Sequence, residues 1–189
     1  MTIELIRREK PVAYDFHTHT SLSDGELSPP ELIYQAVYKK CGAIGITDHA
    51  GLGYSSRTIT EVARDCAVAM ASWDIIAIAG VELTYLPVDA VADAAKKVKQ
   101  DGAQLVVVHG ETVAENVPPG TNIAAVSCPY VDILAHPGLI TVEEAKLAAE
   151  NGVYLELSAR KGHSMTNGHV AKVANAAGAK LLVNSDGHT

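Results

Sequence analysis

The chain has 189 residues, 48% of them hydrophobic, 20% charged and 5% aromatic, a balance that suits one domain with a sizeable core and is short for two. Its formal net charge of −7 argues against a broad basic surface for long nucleic acid or an anionic membrane, while leaving room for a local basic pocket. Three scattered cysteines (Cys41, Cys66, Cys128) form no disulfide framework, the opening MTIELIRREKP lacks a signal peptide's apolar core, and no run reaches the length of a membrane span; a cytoplasmic protein is expected.

Apolar runs alternate with amphipathic ones. Val12 to His17 reads as a strand, followed by a helix over Pro30 to Gly42 with Ser28 and Glu31 in capping-box spacing and Gly42 as its stop. Ala43 to His49 is a second strand. Thr58 and Glu61 repeat the capping box before a helix through Trp73, and Asp74 to Leu83 is a third strand. A helix over Pro87 to Gln100 precedes a fourth strand, Ala103 to His109. The loop ENVPPGTN and a short helix lead to a fifth, Val131 to His136. Thr141 and Glu144 cap a helix ending at Asn151 and Gly152; Val153 to Ser158 is the sixth strand. A helix over Asn167 to Ala177, stopped by Gly178, precedes the seventh, Ala179 to Ser185. Strict alternation with near-continuously apolar strands implies a parallel sheet covered by helices, either closed as a barrel or open and doubly wound. No glycine-rich phosphate loop follows any strand. The sequence runs out directly after the seventh strand, so a single domain over residues 1–189 lacking its final covering helix is expected.

The polar residues at the strand ends carry the chemistry. The first strand runs into His17 and His19, the second into Asp48 and His49, the third into Glu82, the fourth into His109 and the fifth into His136. The sixth carries Glu156, Ser158 and then Arg160; the seventh leads to Asp186 and His188. In parallel α/β folds the C-terminal strand ends are where sites are built. A lone histidine there is usually a satisfied core or surface residue, but a run of successive strands ending in histidine or carboxylate is hard to obtain by chance. Imidazole nitrogens mixed with carboxylate oxygens, without a cysteine cluster, suit Zn, Mn or Fe. Side-chain alternation would turn Asp15, His17 and His19 inward and Phe16 and Thr18 outward, with Asp15 free to orient one histidine. Asp48 caps a turn or braces His49. His163 and His169, near Arg160 and Lys161, are either plain surface residues or part of a basic, anion-binding rim.

The segments HTHTSLSDG, ITDHA, GVELT, VVHGE, LAHPG and VNSDGHT, in that order, closely resemble the motifs of the PHP (polymerase and histidinol phosphatase) family. The resemblance covers essentially the whole chain. It implies a distorted (β/α)7 TIM-like barrel with up to three divalent metal ions (Zn, Mn or Fe) at the strand C-termini. Carried over by motif, His17, His19, Glu82 and Asp186 resemble the ligands of one ion. Glu82 would bridge to a second held by His109 and His136, and Asp24, His49 and His188 resemble the third set. Some relatives carry a histidine slightly beyond the position of Asp24; an aspartate there hardens the third site and favours Mn or Fe over Zn.

The expected activity is hydrolysis of a small-molecule phosphomonoester by a metal-bridging hydroxide. Glu82, Asp186 and His188 would serve as the water-activating residues of the centre, and Arg160, Lys161 and His163 would bind phosphate. Two other readings use the same residues: a phosphodiesterase or exonuclease acting on dinucleotides or short nucleic acid, and a non-catalytic metal-binding scaffold. The second would be marked by lost ligands, and all nine ligand positions are filled here.

Overall fold

In the computed structural model, which describes residues 13–51, 53 and 56–189, parallel strands close into a near-complete barrel with helices outside. The strands are β1 (Ala13–Asp15), β2 (Cys41–Ile46), β3 (His49–Ala50), β4 (Ile76–Leu83), β5 (Leu105–His109), β6 (Ile133–Ala135), β7 (Tyr154–Ser158) and β8 (Leu181–Asn184). Their order around the sheet is β1-β2-β4-β5-β6-β7-β8, all parallel. The two-residue β3 prolongs the second strand against β4, with His49 opposite Glu82. The seam between first and last strands is closed at its C-terminal end. Thr18 bridges Gly187, the amide of His19 donates to the carbonyl of Gly187 at 2.8 Å, and the amide of Phe16 donates to Asn184 Oδ1 at 3.0 Å. Of the two architectures the alternation allows, the barrel is the observed one, as the family resemblance implies.

The helices are α1 (Pro29–Tyr38), α2 (Ser56–Ser72), α3 (Val91–Gln100, entered through a 3-10 turn at Val88–Ala90), α4 (Thr121–Val126), α5 (Val142–Asn151) and α6 (Asn167–Ala177). Each packs an apolar stripe on the outer face of the strands. Leu32, Ile33 and Ala36 of α1 and Val62, Cys66 and Ala69 of α2 meet Ile44, Ile46, Ala77 and Ala79. The later helices cover Val81, Leu83, Val106, Val108, Leu134 and Leu155. Inside the barrel the floor is apolar: Val107, Ile133 and Ala135, with Phe16, Leu105, Tyr154 and Leu182 against them. Because strand side chains alternate, the face that carries Val107 also carries His109, and the face that carries Tyr154 also carries Glu156 and Ser158. Polar groups thus stack above the apolar floor toward the C-terminal mouth. Cys66 and Cys128 are buried among apolar neighbours and Cys41 is half-buried; burial pushes the Cys66 thiol up to about 11.

Several element boundaries differ from those read in the sequence. The capping box at Ser28 and Glu31 is present, but α1 stops early: Lys40 takes a left-handed conformation (φ 59°) and turns the chain, and Gly42 lies in β2. Thr58 and Glu61 do not cap α2. They lie inside it, where Glu61 accepts from Arg57 Nε at 2.8 Å one turn earlier. The first strand ends at Asp15 rather than His17, and Val12 lies outside the described residues. The pleat lapses there, so the expected inward–outward alternation fails. Phe16 packs on the barrel floor, and Asp15 is held by backbone, accepting from the Ser185 amide at 3.1 Å and the His17 amide at 3.4 Å. Asp15 therefore orients no imidazole. The capping box at Thr141 and Glu144, the left-handed Gly152 that ends α5, and α6 with its left-handed Gly178 fall where the sequence indicates.

Candidate metal centre

Glu82, near the end of β4, is the hub of the barrel mouth. Its side chain is wholly buried, and its two oxygens divide five imidazoles between them. Oε1 lies 3.4 Å from His17 Nε2, 3.1 Å from His109 Nδ1 and 3.4 Å from His136 Nε2. Oε2 lies 2.8 Å from His49 Nδ1 and 3.6 Å from His19 Nε2. These residues come from the ends of β1, β3, β5 and β6, so the barrel gathers side chains up to 119 positions apart in sequence onto one carboxylate (His17 to His136).

Asp186, just past β8, closes the ring from the other side, 3.3 Å from His19 Nε2, 3.8 Å from His136 Nε2 and 3.9 Å from His17 Nε2. At the outer edge Asp24 Oδ1 collects His188 Nε2 at 3.1 Å, His49 Nε2 at 3.5 Å and His19 Nδ1 at 3.8 Å. All nine residues singled out in the sequence as metal ligands therefore converge on one region. They form overlapping groups: His17, His19 and Asp186; His49, Glu82 and His109; His19, Asp24, His49 and His188; and His136 with Asp186 and His163.

The donor chemistry fits cations. His17 and His19 bring their Nε2 atoms to 3.1 Å of each other, so the pair must share either a proton or a cation between them. The buried atoms His19 Nδ1, His136 Nδ1 and His163 Nδ1 make no hydrogen bond. Unsatisfied buried polar atoms cost about 1–3 kcal/mol each, so a cluster of them implies a missing partner. Backbone strain concentrates at the same place, with positive φ at Tyr85 (51°), His136 (29°) and Asp186 (52°), conformations that persist where the surroundings over-determine them.

The electrostatics of the cluster follow from this crowding. Burial pushes the Glu82 carboxyl up, but the charge of His17 and hydrogen bonds from His109, His136 and His17 outweigh it and hold the group well below the usual carboxylate range. Asp186 is likewise raised by burial and lowered more by the hydrogen bond from His19 and the charge of His17, to about 2. Burial opposes the charged form of His17, yet Glu156 and Glu82 beside it raise it well above an ordinary histidine. His19 moves the other way, lowered mainly by burial.

Two acidic groups that the sequence left without a role support the ligands. Glu156, wholly buried on the inner face of β7, takes His17 Nδ1 with both oxygens at 3.0 and 3.1 Å and the amide of His136 at 3.1 Å. A carboxylate only accepts, so the His17 proton sits on Nδ1 and Nε2 faces the cluster. A carboxylate in the middle of the otherwise apolar VYLELS was the available sign, but its partner lies 139 positions away. Glu115, on the loop after β5, was not singled out at all; nothing periodic marks a loop residue. It lies 3.1 Å from His109 Nε2 and from His163 Nε2 and accepts from the Tyr85 hydroxyl at 2.6 Å. Asp48 braces the Thr20–Ser23 turn, accepting from the Thr20 amide at 2.7 Å, the Thr20 hydroxyl at 2.8 Å and the Ser23 hydroxyl at 2.7 Å, and does not touch His49.

The three residues expected to bind phosphate part company. Arg160 lines the cleft above the cluster, a space of about 430 Å3, with Nη1 2.6 Å from His188 Nε2 and 3.4 Å from Asp186 Oδ1. Lys161 is exposed and outside the cleft lining. His163 is no rim residue. It is buried beneath the cleft, its ring edge-on to His136 with centroids 4.1 Å apart. His169 donates to the carbonyl of Ile140 at 2.8 Å, away from the site.

The family profile described as "PHP domain" matches residues 15–117, more than half of the chain. The chain belongs to the PHP domain family. It is 47% identical over 176 residues to uncharacterized protein MJ1295 of Methanocaldococcus jannaschii, spanning 93% of this chain and 81% of that one. A shorter stretch, 53 residues or 28% of the chain, is 50% identical to the 5'-3' exoribonuclease Rnm of Escherichia coli, covering 18% of that protein. Among solved structures the fold is similar to histidinol phosphate phosphatase from Lactococcus lactis, with a TM-score of 0.69, 13% identity, 93% of this chain and 86% of that one covered. That structure holds zinc, L-histidinol and phosphate. Among the described residues no helix is long and apolar enough to cross a membrane.

Proposed function

We propose that this PHP-family protein is a metal-dependent phosphoesterase that hydrolyses a small phosphomonoester. The observation that carries the reading is the division of Glu82: one buried carboxylate shared by five imidazoles, three on one oxygen and two on the other. A carboxylate so placed would be shared by neighbouring ions rather than belong to one. His17, His19 and Asp186 would hold one ion with Glu82. His109 and His136, which lie on the same Glu82 oxygen as His17, would hold the second, and Asp24, His49 and His188 a third.

Divalent ions bound there supply Lewis acidity to phosphoryl oxygens and lower the pKa of water toward neutrality. The protein's own share is positioning. Glu82 and Asp186, both held ionised by their surroundings, keep the ligand set negative enough to retain several dications. Glu156 fixes the His17 ring by holding its Nδ1 proton. Arg160 presents a fork of N–H donors over the cluster, suited to two phosphate oxygens at once. His188, itself one of the third ligand set, lies beside both Asp24 and Arg160. The cleft of about 430 Å3 is of small-ligand size.

A second reading, cleavage of a phosphodiester in short nucleic acid, is favoured by the local 50% identity to the exoribonuclease. The net charge of −7 weighs against a long polynucleotide. Protein reconstituted with Mn, Fe or Zn and assayed against phosphomonoesters, dinucleotides and short oligonucleotides separates the two. Metal-dependent phosphate release from monoesters is the expected result; cleavage of diesters with no action on monoesters would establish the second reading in its place.

A further inference from the structure

His163 stands outside the nine strand-end ligands, on a 3-10 turn (His163–Thr166) after β7, entered through Gly162 at φ 90°. Its ring is buried at 4% exposure, and its two nitrogens have different neighbours. Nε2 is 3.1 Å from Glu115 Oε1 in hydrogen-bonding geometry. The carboxylate can only accept, so this nitrogen carries the ring proton. Nδ1 is then a bare lone pair. It makes no hydrogen bond and lies 3.4 Å from Asp186 Oδ2, which in turn lies 3.8 Å from His136 Nε2. These three side chains can bring one donor atom each within ligating distance of a common point. An imidazole with one nitrogen on a carboxylate and the other aimed bare at an aspartate is how proteins present a histidine to a metal: the carboxylate fixes the tautomer and turns the ring.

We propose that His163 is a tenth ligand of the metal centre, binding through Nδ1 beside His136 and Asp186, and that Glu115 is its positioning carboxylate. Glu115 is itself held in place. The Tyr85 hydroxyl donates to its Oε2 at 2.6 Å. The loop that carries it is tied down by Glu111, whose Oε1 accepts from the amides of Gly120 at 3.0 Å and Asn122 at 2.9 Å. With His163 added to Glu82, His109 and His136, the ion on that side gains a fourth protein donor, and a fifth where Asp186 is shared with it.

The inference rests on the metal-centre reading above and not on the identity of the substrate, so its test reads metal. Metal-free protein is titrated with Mn(II) and with Co(II), recording ions bound per chain, the affinity of each, and the cobalt visible spectrum. His163→Ala should lose one ion or bind it roughly 10–100-fold more weakly, with a changed cobalt spectrum. Glu115→Ala should weaken the same ion by about 10-fold, and Glu115→Gln, whose amide oxygen still accepts from Nε2, should recover most of it. Met165→Ala, an exposed position on the same turn, should leave every value unchanged. Wild-type stoichiometry, affinity and spectrum in His163→Ala would overturn the inference while leaving the metal centre intact. If His163→Ala does not fold, wild-type binding in both Glu115 variants would overturn it equally. A wild-type chain that binds no metal would overturn the inference and the centre together.

Discussion

The behaviour of single residues at the barrel mouth follows from who holds each proton. His17 is protonated well above the usual histidine range in the metal-free protein, burial being outweighed by Glu156 and Glu82, so an incoming cation competes with a proton. The sign is fixed by the raised pKa: uptake strengthens as pH rises toward and through it, and weakens in acid. Glu156→Gln removes the charge that raises His17, so the pH at which uptake sets in should move down. The same change loosens the ring and lowers its basicity, so affinity at pH 8 should fall by roughly 10–100-fold. Isothermal titration across pH checks both; an unshifted profile with unchanged affinity would show that Glu156 merely fills space. Glu156 also marks how far single residues were legible. Its inward face could be read from strand alternation, whereas its role depends on His17, brought to it only when the seam between β1 and β8 closes.

At the scale of elements, the order of strands and helices was legible because period-two and helical patterns are strong over runs of this length. Caps were less secure. Ser28 and Glu31 do cap α1, but the same spacing at Thr58 and Glu61 falls inside α2, where it supports an ion pair with Arg57. Lys40 ends α1 in a conformation that pattern alone assigns to Gly42. The loops after the strands were the least legible, and they carry Glu115. Their shape depends on close backbone approach. Gly138, two residues past His136, has φ 61°, and a Cβ there would lie 1.8 Å from the carbonyl oxygen of Glu111. Gly138→Ala should therefore cost about 1–3 kcal/mol. At roughly 2–4 °C per kcal/mol for a chain of this size, thermal melting should register it. Because the shift falls between the loops bearing His136 and Glu115, metal affinity should drop with it. A variant with unchanged Tm and metal binding would mean that these loops are not packed as described.

For the whole molecule, the barrel explains why nine residues scattered from His17 to His188 converge: eight stand at or just beyond the C-terminal end of a parallel strand, and Asp24 lies on the loop that follows β1. This was legible as a list of polar strand ends. The sharing of Glu82 among five imidazoles was not, because it depends on strand register, such as His49 opposite Glu82. Likeness of fold to a histidinol phosphate phosphatase at 13% identity carries the architecture, and the chemistry has to be argued from the residues themselves. The central claim is that Glu82 unites the metal centre and thereby makes it hydrolytic. The most direct test is a parallel measurement of bound metal and phosphomonoester turnover in wild-type protein and Glu82→Gln, after chelation and reloading. The account predicts that the wild type loses turnover on chelation and regains it with metal, while Glu82→Gln loses at least one bound ion and its activity falls by several orders of magnitude. Full turnover in Glu82→Gln, or wild-type turnover that survives complete removal of metal, would contradict it.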